Sequence, residues 1–230
     1  MFFYYDYYYL VLIVPALLIA TWAQFKVNST FNKYSKMRAS RGYTAAQIAR
    51  SMLDENGLYN VAVERVSGNL TDHYDPKANV IRLSDSVYNS TSVAAIGVAA
   101  HETGHAIQYA KGYAPIKLRS AVIPLTQIGS TLSMPLILLG FVFSMRPLVI
   151  GGIILFSLVA LFQLITLPVE FNASRRALES LENREYLYDE ELVGARKTLS
   201  AAAMTYVAAL LVSLMQLLRL ILLFGRRNND

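Results

Sequence analysis

The chain has 230 residues and a net charge of +5, and 54% of its residues are hydrophobic, at a mean hydropathy of +0.36. That is more apolar than a soluble domain of this length, and the excess is gathered in long runs. Cysteine is absent, which excludes a disulfide framework, a thiolate metal site and a thiol nucleophile, so any metal must be held by nitrogen and oxygen. The basic residues cluster beside the apolar runs, which marks them as membrane-orienting charge rather than a nucleic-acid footprint.

The chain opens on "MFFYYDYYY", an aromatic cluster suited to the headgroup level, and continues into a first apolar run from Tyr7 to Phe25. A bilayer asks for about 20 such residues. A cleaved signal peptide fits poorly, because Asp6 is the only early charge and no small-residue cleavage site follows. In the polar stretch beyond, "YTAAQIARSMLDENGL" predicts a short amphipathic helix, with Thr44 as N-cap and Gly57 as stop. "NVAVERVSG" predicts a strand. "LTDHYDPKANVIRLSDSVY" reads as a turn, supplied by Asp75-Pro76 and Asn79, followed by a strand at "VIRL". "NSTSVAAIGVAAHETGHAIQYAKG" reads as a buried helix that Ser90 or Ser92 can cap and Gly112 can end. It carries His101, Glu102, Thr103, His105 and Gln108 at its centre, which argues against its being a membrane span.

A second apolar run, Ser120 to Phe143, and a third, Leu148 to Leu167, are separated only by "SMRP" and predict a helical hairpin. A fourth, Leu199 to Phe224, is interrupted by Gln216 and Arg219. The expected fold is therefore a mainly α integral membrane protein of about four transmembrane helices with a small α+β domain. Residues 1–25 form the first span, 26–119 a polar domain, 120–167 the hairpin, 168–198 a second polar, helical segment, and 199–230 the last span and tail. If the hairpin crosses and returns, the two polar stretches share one side and can build one domain. Lys26, Lys33, Lys36, Arg38, Arg41, Lys111, Lys117, Arg119, Arg175 and Arg176 flank the spans on that side, against Asp6 and Arg146 on the other. The bias of positive charge to the inner face makes it cytoplasmic in a cell membrane, although four spans then place Arg226 and Arg227 outside.

The sharpest chemical signal is "HETGH". On a helix, residues four apart share a face, so His101 and His105 can direct two imidazoles at one ion. Glu102 is turned about 100° from His101. From there it can take a proton from water that Zn2+ has acidified to a pKa of about 7. Two satisfied core histidines are the bland alternative, but burying two imidazoles and a carboxylate without a purpose is costly. A catalytic site wants a third protein ligand. No further motif histidine follows His105, so a carboxylate on another helix is expected, and Glu170 in "TLPVEFNASRRALESLE" is the best candidate. Its bland alternative is an interfacial pair with Arg175 or Arg176; Glu179 and Glu182 read as solvated surface. His73 in "DHYDP" could stabilise an oxyanion if Asp72, Tyr74 or Asp75 orients it, or be an exposed turn residue. "VIRL" could pair with an extended peptide.

With "DHYDP", "VIRLS", "VAAHETGHAIQ" and "PVEFNAS" in this order among the spans, nearly the whole chain resembles the YugP-like neutral zinc metallopeptidases of bacterial membranes. More distantly it is similar to the membrane heat-shock and prenyl-protein metallopeptidases of the gluzincin group. The resemblance implies one Zn2+ per chain on His101, His105 and Glu170, with Glu102 as general base, and peptide-bond hydrolysis. In the mechanism expected here His73 or a nearby tyrosine serves the oxyanion, and because Glu170 lies so near a span the expected substrates are membrane or membrane-proximal. The distant relatives have an aspartate four residues after the glutamate ligand, where this chain has Ser174. Two other classes compete: a non-catalytic, zinc-stabilised membrane scaffold or chaperone, and a metal transporter. The transporter is the weakest, since the spans offer mainly Gln127, Gln163 and Gln216 as ligands.

Overall fold

The computed structural model describes residues 6–225 and is mainly helical. Four of its helices are long and apolar enough to cross a membrane. A π-helical turn, Tyr9–Ile13, leads into α1, Val14–Tyr34. Next come α2, Ala45–Glu55; β1, Ala62–Val66; β2, His73–Asp75; β3, Val80–Ser84; and α3, Val93–Ala110. The long helices α4, Ala114–Val142, α5, Arg146–Asn183, and α6, Asp189–Gly225, complete the chain.

The chain divides into two compact units, one drawn from Phe25–Lys117 and Pro168–Met204, the other from the remainder. In the first, α2 starts as its sequence dictates. The Thr44 hydroxyl accepts from the Gln47 N–H at 3.2 Å while the Gln47 side chain accepts from the Thr44 N–H at 2.8 Å, a reciprocal cap that satisfies two otherwise orphaned donors. Ala45, Ile48, Ala49, Met52 and Leu53 then fall on one buried face. Gly57, at φ +72°, takes the left-handed conformation that turns the chain away. The sheet has the order β1-β3-β2, with β1 parallel and β2 antiparallel to β3. All of β3 except Arg82 is buried. The Asp75–Asn79 segment turns as expected: the Asp75 carboxylate accepts from the N–H groups of Lys77 and Ala78, and Asn79 sits at φ +55°. His73–Asp75, read from sequence as part of the turn, is instead a short edge strand. Because β3 is paired on both sides, "VIRL" has no free edge for a peptide; the open edges belong to β1 and β2.

Ser92, rather than Ser90, caps α3, accepting from the Ala95 N–H at 3.3 Å, and the Ser90 hydroxyl supports it at 2.9 Å. Alanine and glycine make up much of this helix, and thirteen of its residues are buried. Small side chains let neighbours close in: a Cβ on Gly97 would touch Ala195 of α6 at 3.5 Å, and one on Gly194 would strike the Tyr34 ring of α1 at 2.7 Å.

The other unit gathers the described residues up to Gln24, Leu118–Leu167, and those from Thr205 on. Residues Phe143–Met145 join α4 to α5, with Ser144 at φ +55°, giving the predicted hairpin. Its two helices pack through glycine: a Cβ on Gly129 would lie 2.7 Å from the Leu155 carbonyl oxygen, and one on Gly152 equally close to that of Ser133. Arg219, the charge that interrupts the last apolar run, is paired with Asp6 and also lies over the Tyr9 ring, its guanidinium carbon 5.3 Å from the ring centre. The cost of an arginine among apolar residues is thus offset by an acid from the other end of the chain.

Helix ends are where hydropathy misled. The first apolar run stops at Phe25, yet α1 continues to Tyr34 and buries Phe31 and Tyr34 in the core of the polar unit. Likewise α5 passes uninterrupted through Pro168 to Asn183. Apolar character reports what surrounds a helix, not where its hydrogen-bond ladder stops.

Candidate metal centre

His101 and His105 lie one turn apart on α3, and Glu170 comes from α5. Their ligand atoms all lie within 4.8 Å of one another. Glu170 Oε2 is 3.1 Å from His101 Nε2 and 3.5 Å from His105 Nε2. Tetrahedral zinc with bonds of about 2.0–2.1 Å places its ligand atoms about 3.3 Å apart, close to these two separations, so the donor set suits that ion. His105 and Glu170 are buried and His101 is half-buried, leaving one open side. Burial alone pushes the His105 imidazolium down, but the hydrogen bond to Glu170 and the charges of Glu102 and Glu170 outweigh it, and its pKa is raised.

Gly104 is what lets the two helices meet. A Cβ there would lie 2.7 Å from the Ala173 carbonyl oxygen, so only hydrogen allows α5 to come this close to α3. Glu170 and Ser174 flank Ala173 on the same stretch of α5. Of the two arginines weighed against Glu170, Arg175 faces Glu179, and the Arg176 Nε–H is donated to Asn172. The Ser174 hydroxyl lies 3.1 Å from His101 Nδ1, so a neutral group stands behind that imidazole.

Glu102 is half-buried, and its Oε2 accepts the Tyr74 backbone N–H at 3.0 Å. That ties the carboxylate to the outer edge of β2, the strand missed in the sequence. The contacts around His73 differ from those expected. Its ring is exposed and faces the Thr71 carbonyl oxygen at 2.9 Å. The groups expected to orient it are engaged elsewhere: Asp72 accepts from the N–H and hydroxyl of Ser84, Asp75 holds the turn and Arg82, and the Tyr74 hydroxyl is donated to Asn79. Desolvation raises the pKa of Asp72. The residue whose part in the site was missed is Gln108. It is polar, fully buried, and three residues beyond His105 on the same helical face, a spacing that could have marked it.

His101, His105 and Glu170 thus form a group of donors that could hold a metal ion, in a chain with four helices long and apolar enough to cross a membrane. Residues 9–225 match the family described as "Putative neutral zinc metallopeptidase", and the chain belongs to it. Among curated relatives, "Putative membrane protease YugP" of Bacillus subtilis (strain 168) is 50% identical over 223 residues, covering 96% of this chain and 99% of that protein. No solved structure matches.

Proposed function

We propose that this membrane protein is a zinc-dependent endopeptidase of the H-E-x-x-H gluzincin type, cutting peptide segments at or near the bilayer. His101, His105 and Glu170 hold the ion, one per chain. Bound zinc supplies Lewis acidity and lowers the pKa of water at the site to about 7. Glu102 takes the proton of the attacking water at its carboxylate and delivers it to the departing amine. The Tyr74 N–H keeps that carboxylate aimed while it is ionised. The excess of lysine and arginine beside the spans puts this chemistry in the cytoplasm.

One observation carries the reading: a carboxylate that is not among the converging donors stands next to them on the same helix, tethered by one hydrogen bond. A zinc site that only holds helices together, as in a scaffold or chaperone, has no use for it. The test is Glu102→Gln in the purified, detergent-solubilised chain. Zinc content should stay at the wild-type ratio, while cleavage of casein or of a membrane substrate falls by at least about a hundredfold. Chelator-sensitive proteolysis surviving in that variant would refute the mechanism.

A further inference from the structure

We propose that Gln108 is a positioning residue that holds His105 in the Nδ1–H tautomer and couples it to the helix carrying Glu170. The inference rests on the metal reading above and concerns how that site is kept in register.

The logic is one of donors and acceptors. The Gln108 amide is fully buried and has three partners. Its Nε2 lies 2.8 Å from the Val169 carbonyl oxygen and 3.0 Å from Asn172 Oδ1, both on α5. A carbonyl oxygen only accepts, so the amide cannot be turned the other way round: NH2 must face α5 and Oε1 must face His105. Arg176 fixes the same polarity from behind. Its Nε–H, which can only donate, reaches Asn172 Oδ1 at 2.8 Å and so holds that oxygen toward both donors. Gln108 Oε1 lies 3.1 Å from His105 Nδ1, and because an amide oxygen only accepts, the proton on that contact belongs to the imidazole. In the neutral ring the proton is thus on Nδ1, and the lone pair is on Nε2, the atom that faces Glu170. Such outer hydrogen bonds orient ligating histidines, and losing one typically costs 10–100-fold in metal affinity.

The two histidines differ in this respect. His101 Nδ1 faces the Ser174 hydroxyl, which can donate or accept, so that contact does not choose a tautomer. Gln108 also bridges to Val169, the residue before Glu170. One side chain therefore sets both the protonation of one ligand and the seat of another.

The experiment measures zinc affinity by competition with a chromophoric chelator, and the cobalt(II) absorption spectrum, on the full-length protein in detergent. Gln108→Met should bind zinc 10–100-fold more weakly, with a changed cobalt spectrum. In the metal-free wild type, the imidazole 15N chemical shifts of His105 should place the proton of the neutral ring on Nδ1. Wild-type affinity in Gln108→Met overturns the proposal, as does a neutral His105 ring protonated on Nε2. If Gln108→Met does not fold, the tautomer decides: a proton on Nδ1 supports the proposal and one on Nε2 overturns it. Glu170→Ala, run in parallel, separates the two readings. Should it leave zinc affinity unchanged, the metal assignment itself falls; should it lower affinity while Gln108→Met does not, only the role of Gln108 falls.

Discussion

Gly104→Ala is the smallest change that tests how the site is assembled. Helix propensity alone predicts a gain of up to about 1 kcal/mol, because alanine is the better helix former. The structure predicts a loss of function instead. The added Cβ would sit 2.7 Å from the Ala173 carbonyl oxygen, against 3.4 Å for ordinary contact, a shortfall of about 0.7 Å. The obstacle is backbone, so α5 must move. Overpacking of this kind costs about 1–3 kcal/mol, which outweighs the propensity gain by up to about 2 kcal/mol, so the metal-free protein should unfold at most several degrees below wild type. The metal-bound state should suffer far more. Ala173 lies between Glu170 and Ser174, and a zinc site tolerates distance errors of only about 0.2 Å. A hundredfold weaker site, at zinc concentrations well above its dissociation constant, forfeits about 2.7 kcal/mol of ligand stabilisation. Thermal unfolding in zinc and in chelator reads this directly: the gap between the two conditions should shrink by that amount in Gly104→Ala. A wild-type gap would refute the claim that this glycine sets the meeting of α3 and α5.

Three further outcomes are expected. Asp6→Asn or Arg219→Met alone should destabilise the protein by about 2–3 kcal/mol by stranding a charge among apolar residues, while the double variant recovers most of the loss; additive effects in the double-mutant cycle would dismiss the pair. Asp75 is held below its usual range by the N–H groups of Ala78 and Lys77 and by Arg82. Its contribution is therefore fully present above about pH 3.8 and is lost as pH falls from there through its lowered folded-state value, so Asp75→Ala should destabilise at pH 7 and progressively less as the pH drops below 3.8; a cost independent of pH would contradict this. A cysteine placed at Gly57 should resist an impermeant thiol reagent in intact cells and react after lysis, whereas labelling in intact cells would reverse the proposed orientation.

The convergence of His101, His105 and Glu170 was legible because each rests on a local rule. Four-residue spacing puts His101 and His105 on one face, and an acid beside an apolar run needs a partner, which singled out Glu170. The fold class was legible for the same reason, since hydropathy marks what faces lipid. Strand β2 was not: three residues within a turn-rich segment carry no alternation to read, and with β2 went the tether of Glu102 and one of the two free edges of the sheet. Gln108 was visible as a polar residue on an apolar helix, but its direction depends on where the Val169 carbonyl lies, which no pattern along the chain encodes. The role of Gly104 required the same knowledge. Its lack of a side chain is plain in the sequence; that the space is filled by another helix's backbone is a fact of tertiary packing.

The pairing of Asp6 with Arg219 has a consequence for counting. Residues that touch must lie at the same depth, so the beginning of the first crossing and the end of the last share a face of the membrane. An odd number of crossings would put them on opposite faces, so the pair agrees with four crossings, the number of helices long and apolar enough to span. If all four cross, reporters fused at the two ends should read the same compartment.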